Sequence, residues 1–368
     1  DVIVARHTFG EGEVLFANLP LGYLKTRTDG HLLHRLLNHF VVGMLRQPRL
    51  APVPDGVGGM VLNLHIDSNA AELPLLQLER DGWFQQGPFS LHLTAGPDTY
   101  DVGDRMGIDL DHNREMLAFL RRQVLLGHEV GNHGGWGHNI FGNHANNHNR
   151  PLYEPMLALN HQSVSKAIGQ PARSYSAPMG NHPQWAHRWL QEQGFKAYYF
   201  TGDNGLGPTR SYVDGQRATS GLWAFPVSNL HQIATFEELD QPRLGRDATD
   251  MARFLEGLAH HVANTRVARL FYFHPPAAEE YPDVLDGLSQ QAQQLASRQR
   301  FRWYSMEGLA DFMTQREQVR WHVKHSRAQA RQLVASSEAD LKDLSWVFPL
   351  TTASGFEVVS GRASVRRD

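Results

Sequence analysis

Cysteine is absent from all 368 residues. This excludes a disulfide framework and any thiolate metal centre, leaving histidine, carboxylates and amides as the side chains able to hold a metal. A surplus of charge is lacking too: 35 Lys and Arg against 38 Asp and Glu give a formal net charge of -3, with no basic stripe to follow a phosphate backbone. Nucleic acid is therefore not an expected partner. No apolar run approaches the roughly 20 residues that a membrane-spanning helix requires. The chain opens in mid-pattern rather than on a charged and apolar leader, so its first residues are expected to be a cut end.

What is present describes a globular chain, with 41% hydrophobic and 20% charged residues. The length calls for one large domain with appendages, or for two domains. Residues 1–46 combine a strand signal, "EVLFANLPL", with an amphipathic helix, "DGHLLHRLLNHFVVGMLR", and are expected to close an upstream α/β domain. The Pro- and Gly-rich stretch 47–59 reads as a linker.

From residue 60 strands and helices alternate. Strand signals such as "MVLNLHI" (60–66), "FSLHLTA" (89–95), "EVGNH" (129–133) and "ARLFYFH" (268–274) are separated by helical patterns at 113–127, 153–169 and 182–194. This predicts a parallel sheet covered by helices, either doubly wound or a barrel, over 60–315. A helical extension is expected over 316–338 and the start of a β-rich domain over 339–368.

In such folds chemistry gathers where parallel strands end. The first strand ends in "HIDSN", with His65, Asp67 and Asn69; the third ends at His133; the last ends at His274 in "FYFHPP". "GHEVGNHGGWGHN" (127–139) adds His138, and its glycines permit a close turn that aims two imidazoles at one point. Asp67, His133 and His138 would supply the three ligands of a catalytic zinc with an open position for water. Among 21 histidines most have no such role, and His128, His144, His148 and His161 are expected on the surface or in loops.

Five segments in order resemble one family. "GHEVGNHGGWGH" is similar to the histidine motif of the polysaccharide deacetylases, the NodB-homology carbohydrate esterases. "LHID" resembles that family's aspartate motif, "YSAPMG" its Arg-Pro-Pro-Tyr-Gly segment, "LWAFPVS" one of its strands and "LFYFHP" its closing leucine-histidine motif. The resemblance implies a distorted (β/α) barrel, a metal such as Zn2+, and hydrolysis of N-acetyl groups from an amino-sugar polymer in an extracytoplasmic setting. It makes His133 and His138 metal ligands, Asp67 the base-type aspartate, His274 the general acid, and Trp136, Met179 and Tyr272 substrate contacts.

The chain departs from the family at three points. Two adjacent carboxylates are usual after the first strand, whereas Asp67 is followed by Ser68 and Asn69. Either Asp67 binds the metal and another group, His65 among the choices, is the base, or Asp67 is the base and Asn69 or a water completes the metal shell. The histidine pair is one residue longer than usual, so His144 or His148 could stand in for His138. The family's arginine is replaced by Ser176. Two other readings compete: a non-catalytic carbohydrate-binding barrel, and a non-haem iron oxygenase using His65, Asp67 and a distal histidine.

Overall fold

The computed structural model describes residues 3–23, 31–200, 206–213, 216–217, 221–325, 331–349, 355 and 357–365. The first barrel strand, β1 (Gly59–Ile66), is buried along its whole length. That is the behaviour of a parallel strand covered on both faces, and it explains why "GMVLNLHI" reads as a nearly continuous apolar run. Alternation along β1 sends Met60, Leu62, Leu64 and Ile66 into the core under the helices, whereas Val61 joins the second core, inside the barrel. Asn63, His65 and then Asp67 continue the Val61 face.

The remaining strands follow in order: β2 (Ser90–Leu93), β3 (Glu129–Asn132), β4 (Ser174–Tyr175), β5 (Ala197–Phe200), β6 (Trp223–Pro226), β7 (Ala268–Phe273) and β8 (Arg302–Tyr304). Parallel pairing runs β7-β1-β2-β3-β4-β5-β6, and β8 pairs with the first half of β1. A parallel bridge from Val227 to Leu270 brings the end of β6 back beside β7, so the curled sheet encloses an interior. The helices α1 (Glu72–Arg80), α2 (Arg114–Leu125), α3 (Arg150–Ile168), α4 (Gln184–Glu192), α5 (Ala248–Thr265), α6 (Pro282–Ser297) and α7 (Met306–Glu317) cover it. Local signals set their starts: the Asn113 side chain accepts the Met116 N–H ahead of α2, and Asp247 accepts that of Asp250 ahead of α5.

The flanks differ from expectation. The presumed linker is packed structure: Arg49–Leu50 pairs antiparallel with Trp346–Val347, Ala51 and Val53 are wholly buried, and the Tyr304 hydroxyl donates to the Val57 carbonyl at 2.6 Å. Its prolines suit an irregular segment whose small apolar residues fill the base of the barrel. Within 316–338 the helix ends at Glu317, and Arg320–His325 pairs with Arg331–Ser336 as an antiparallel hairpin. The alternation of Trp321 and Val323 with His322 and Lys324 is strand-like, and it overrides the helix-favouring Arg, Gln and Ala that follow.

At the other end, Val4–Phe9 and Gly12–Ala17 form a hairpin, and the expected helix appears as His31–Asn38 continued by a π-helical turn, His39–Met44. Beyond 339 only the two-residue strand Trp346–Val347 is formed among the described residues; 350–354, 356 and 366–368 lie outside them. No helix of the described residues is long and apolar enough to cross a membrane.

Candidate metal centre

Strand ends place the key side chains at one mouth of the barrel. Asp67 follows β1 and His133 follows β3, whose backbone N–H donates to the Leu93 carbonyl at 3.0 Å. His138 opens the short helix His138–His144. The additional glycine between the two histidines has a physical purpose. Gly134 turns with φ +76°, and a Cβ there would lie 2.0 Å from Cγ of Pro178; a Cβ on Gly135 would meet the Phe141 ring at 2.5 Å. The loop can fold tightly under "YSAPMG" only without side chains at these two positions.

His133 Nε2 lies 3.0 Å from Asp67 Oδ1, and His138 Nε2 lies 3.3 Å from Asp67 Oδ2 and 3.2 Å from His133 Nε2. The opposite ring nitrogens fix the tautomers. His133 Nδ1 donates to the Ser176 carbonyl at 2.9 Å, and His138 Nδ1 to Asn139 Oδ1 at 2.6 Å, which leaves both Nε2 atoms as bare lone pairs in the neutral rings. Asp67 Oδ1 is buried and, among the described residues, accepts no well-formed hydrogen bond. Three lone pairs thus converge with no proton to share, and these three residues form the cluster able to hold a metal ion among the described residues. The donor set fits a divalent ion of the zinc class.

Electrostatics favour the ligating forms. Burial, relieved only in part by Asp67, pushes His138 down to about 4 and so keeps it neutral. Burial would raise the Asp67 carboxyl, but His274, His138 and His133 outweigh it and hold the group well below the usual carboxylate range. His138 stands at Asp67, while His144 and His148 are exposed on the surface and take no part.

His274 ends β7, with Nε2 3.3 Å from Asp67 Oδ2. Its Nδ1 and backbone N–H both meet Glu237 Oε1, at 2.9 and 3.1 Å, and the Thr235 hydroxyl donates to Glu237 Oε2 at 2.5 Å. Burial opposes the imidazolium, yet Asp67 and Glu237 prevail and raise His274 to about 9. Glu237 was not legible in the sequence; it comes from the turn Phe236–Asp240, anchored by buried Phe236 and Leu239. The one signal for it is the pattern of "TFEELD", two carboxylates set between two apolar anchors.

His65 faces the barrel interior in a different role from a ligand. Its Nε2 lies 2.8 Å from Asn63 Oδ1, the ring stacks on Tyr272 at 4.5 Å, and burial, with His133 and His274 nearby, pushes its pKa well down. Asn63 Oδ1 also accepts the Ser176 hydroxyl at 2.8 Å, and that hydroxyl meets His92 Nδ1 at 2.7 Å. Ser176 links this buried hydrogen-bond network to the carbonyl that orients His133.

Met179 and Tyr272 line the central cavity of about 400 Å³, and Trp136 does not; it packs half-buried against the core under the helices. His128, expected at the surface, is buried: its Nδ1 accepts the Phe89 N–H and its Nε2 donates to the Phe84 carbonyl, both at 2.9 Å. His161 is half-buried on α3 against Trp189 and Phe195. The iron-triad reading fails on two counts, because the sheet is a parallel barrel and His65 Nε2 is committed to Asn63.

No protein-family model matches the chain, and no curated protein matches its sequence. Solved structures do match. A protein of Pseudomonas aeruginosa PAO1 assigned as a polysaccharide deacetylase superposes with TM-score 0.54 at 12% identity, covering 75% of this chain and 97% of its own. One from Mycobacterium smegmatis with the same assignment gives 0.53 at 14%, covering 74% and 96%. Puue allantoinase gives 0.51 at 12%, covering 73% and 95%. The chain therefore has the distorted (β/α) barrel fold of the polysaccharide deacetylases.

Proposed function

We propose that this chain is a metal-dependent hydrolase that removes N-acetyl groups from an amino-sugar polysaccharide, with Asp67, His133 and His138 as ligands of Zn2+ or a similar ion. The observation that carries this reading is the convergence of three unprotonated lone pairs, from Asp67, His133 and His138, beside a charged imidazole in one cavity. A bound divalent ion would polarise the acyl oxygen and make water nucleophilic there.

The residues of this chain supply the rest. His274, charged and held by Glu237, is placed to give its Nε2 proton to the leaving amine. Glu237 fixes the ring so that Nε2, not Nδ1, faces the site. Tyr272 and Tyr199 are kept protonated by burial, so both present neutral phenols rather than phenolates to the cavity. Met179, 64% exposed at the rim, offers an apolar contact to a sugar ring. An extracytoplasmic setting, where such polymers are met, belongs to the same proposal.

The test is amine and acetate release from an N-acetylated hexosamine polymer. Wild type should release both, lose the activity on chelation and regain it with zinc; His133→Ala should stay inactive throughout. Equal release in all samples would sink the metal-centred mechanism. Metal binding without any release would favour the alternative of a non-catalytic carbohydrate-binding barrel.

A further inference from the structure

The cavity contains a carboxylate that the ligand trio leaves unused. Asp67 and Glu238 are its two acidic lining residues, and neither lysine nor arginine lines it. We propose that Glu238 is the general base of the hydrolysis, delivered to the site by the segment after β6 instead of by the end of β1. This rests on the reading of the chain as a metal-dependent deacetylase.

The commitments of the other groups single it out. Both Asp67 oxygens face the ligand histidines, and Oδ2 faces His274 as well. Glu237 is engaged through both oxygens, with His274 and with Thr235. Nε2 of His65 is held by Asn63. The strand alternation of β1 turns Ile66, next to Asp67, into the core under the helices, so no second acid can enter from there. Glu238 is different: its Oε2 accepts the Ala234 N–H at 2.5 Å, and among the described residues its Oε1 accepts no hydrogen bond.

Packing anchors the segment that carries it. Phe236, wholly buried, stacks on Phe273 with ring centres 5.4 Å apart, and Leu239 is buried on the far side of the pair of glutamates. The segment is thus pinned on both sides of the carboxylates. Glu238 also walls a second cavity of about 380 Å³, shared with Gln232, Gln241, Arg243 and Leu244. It therefore stands on the ridge between the reacting centre and a space able to take a neighbouring sugar.

In the proposed step the water oxygen bonds to the acyl carbon while its proton passes to the Glu238 carboxylate. On collapse the C–N bond breaks, the electron pair stays on nitrogen, and nitrogen takes the His274 Nε2 proton. Glu238 then loses its proton to solvent and His274 regains one, leaving acetate and the amine.

The experiment compares wild type with Glu238→Gln and Glu238→Ala, each loaded with zinc, on an N-acetylated hexosamine oligomer. Glu238→Gln should keep its metal affinity, melting temperature and KM while kcat falls by about 10²- to 10⁴-fold, the usual contribution of a general base. Formate added to Glu238→Ala should restore part of kcat by occupying the vacated space. A Glu238→Gln enzyme with unchanged kcat, or with a raised KM alone, would make Glu238 a wall of the sugar site and overturn the proposal. A wild type that releases no amine would instead overturn the deacetylase reading, and this step with it.

Discussion

Asp67 Oδ1 and His133 Nε2 face each other at 3.0 Å, and because Nδ1 donates to the Ser176 carbonyl, the one-proton form of the ring meets the carboxylate as a second acceptor. A cation between them converts repulsion into ligation. Zinc should therefore raise the melting temperature of the wild type, by about 2.7 kcal/mol of stability at a concentration 100 times the dissociation constant. Asp67→Asn and His133→Ala should show no zinc-dependent shift. Thermal melts with zinc and with chelator check this, and an equal shift in Asp67→Asn would place the ion elsewhere.

Gly134→Ala tests the turn rather than the ligands. The new Cβ would fall 2.0 Å from Cγ of Pro178, on a backbone at φ +76°. Alanine at a positive φ destabilises by more than the ~1 kcal/mol it gains at compatible sites, and relief of the clash must move either His133 or the "YSAPMG" loop. Zinc affinity measured by chelator competition should fall at least ~10-fold, the lower end of what disturbed support of a ligand costs. An affinity equal to wild type would show that the turn tolerates a side chain.

Asp67, His133, His138 and His274 could be read from the sequence because each lies at or just beyond the end of an apolar strand, inside a short pattern that keeps its spacing when folded. His138 was separable from His144 and His148 only through the fold, since the choice depends on how Gly134 passes under Pro178 and Gly135 against Phe141. Glu237 and Glu238 were harder to find for a different reason. They reach the site from a turn distant in sequence from the other site residues, and the pattern of "TFEELD" does not say that Phe236 packs on Phe273. The hairpin at 320–336 was lost to helix-favouring composition, and the packed segment at 51–57 to its prolines. In both places tertiary contacts decided between local preferences.

Phe236→Ala should separate anchoring from ligation. The side chain is wholly buried against Phe271 and Phe273, and its removal should cost about 3–5 kcal/mol, as for other buried aromatics. Because it pins Glu237 and Glu238 rather than any metal ligand, kcat should drop while zinc affinity holds within a few-fold. Phe236→Leu, which keeps most of the apolar volume, should recover most of both stability and kcat. Steady-state kinetics beside zinc competition decide the matter; a loss of zinc binding equal to the loss of kcat would mean that the anchor supports the whole mouth.

Acid sensitivity of the fold should trace in part to His182. Burial, with His187 adding to it, pushes this imidazole down to about 3, and neither ring nitrogen has a hydrogen-bond partner among the described residues. In the unfolded chain the same ring titrates near ~6.5. As pH falls through that value the unfolded state binds a proton that the folded state refuses, so stability declines from there down to about pH 3. Burial likewise lowers His128, which adds to the slope in the same direction. The His182 ring stacks on Tyr198 at 4.9 Å with planes 13° apart, a contact that a phenyl ring can also make. His182→Phe should therefore keep the fold at pH 7 and lose stability less steeply between pH 7 and 4.5, read as the change in urea midpoint. A slope identical to wild type would mean that His182 takes up its proton in the folded state as readily as in the unfolded chain.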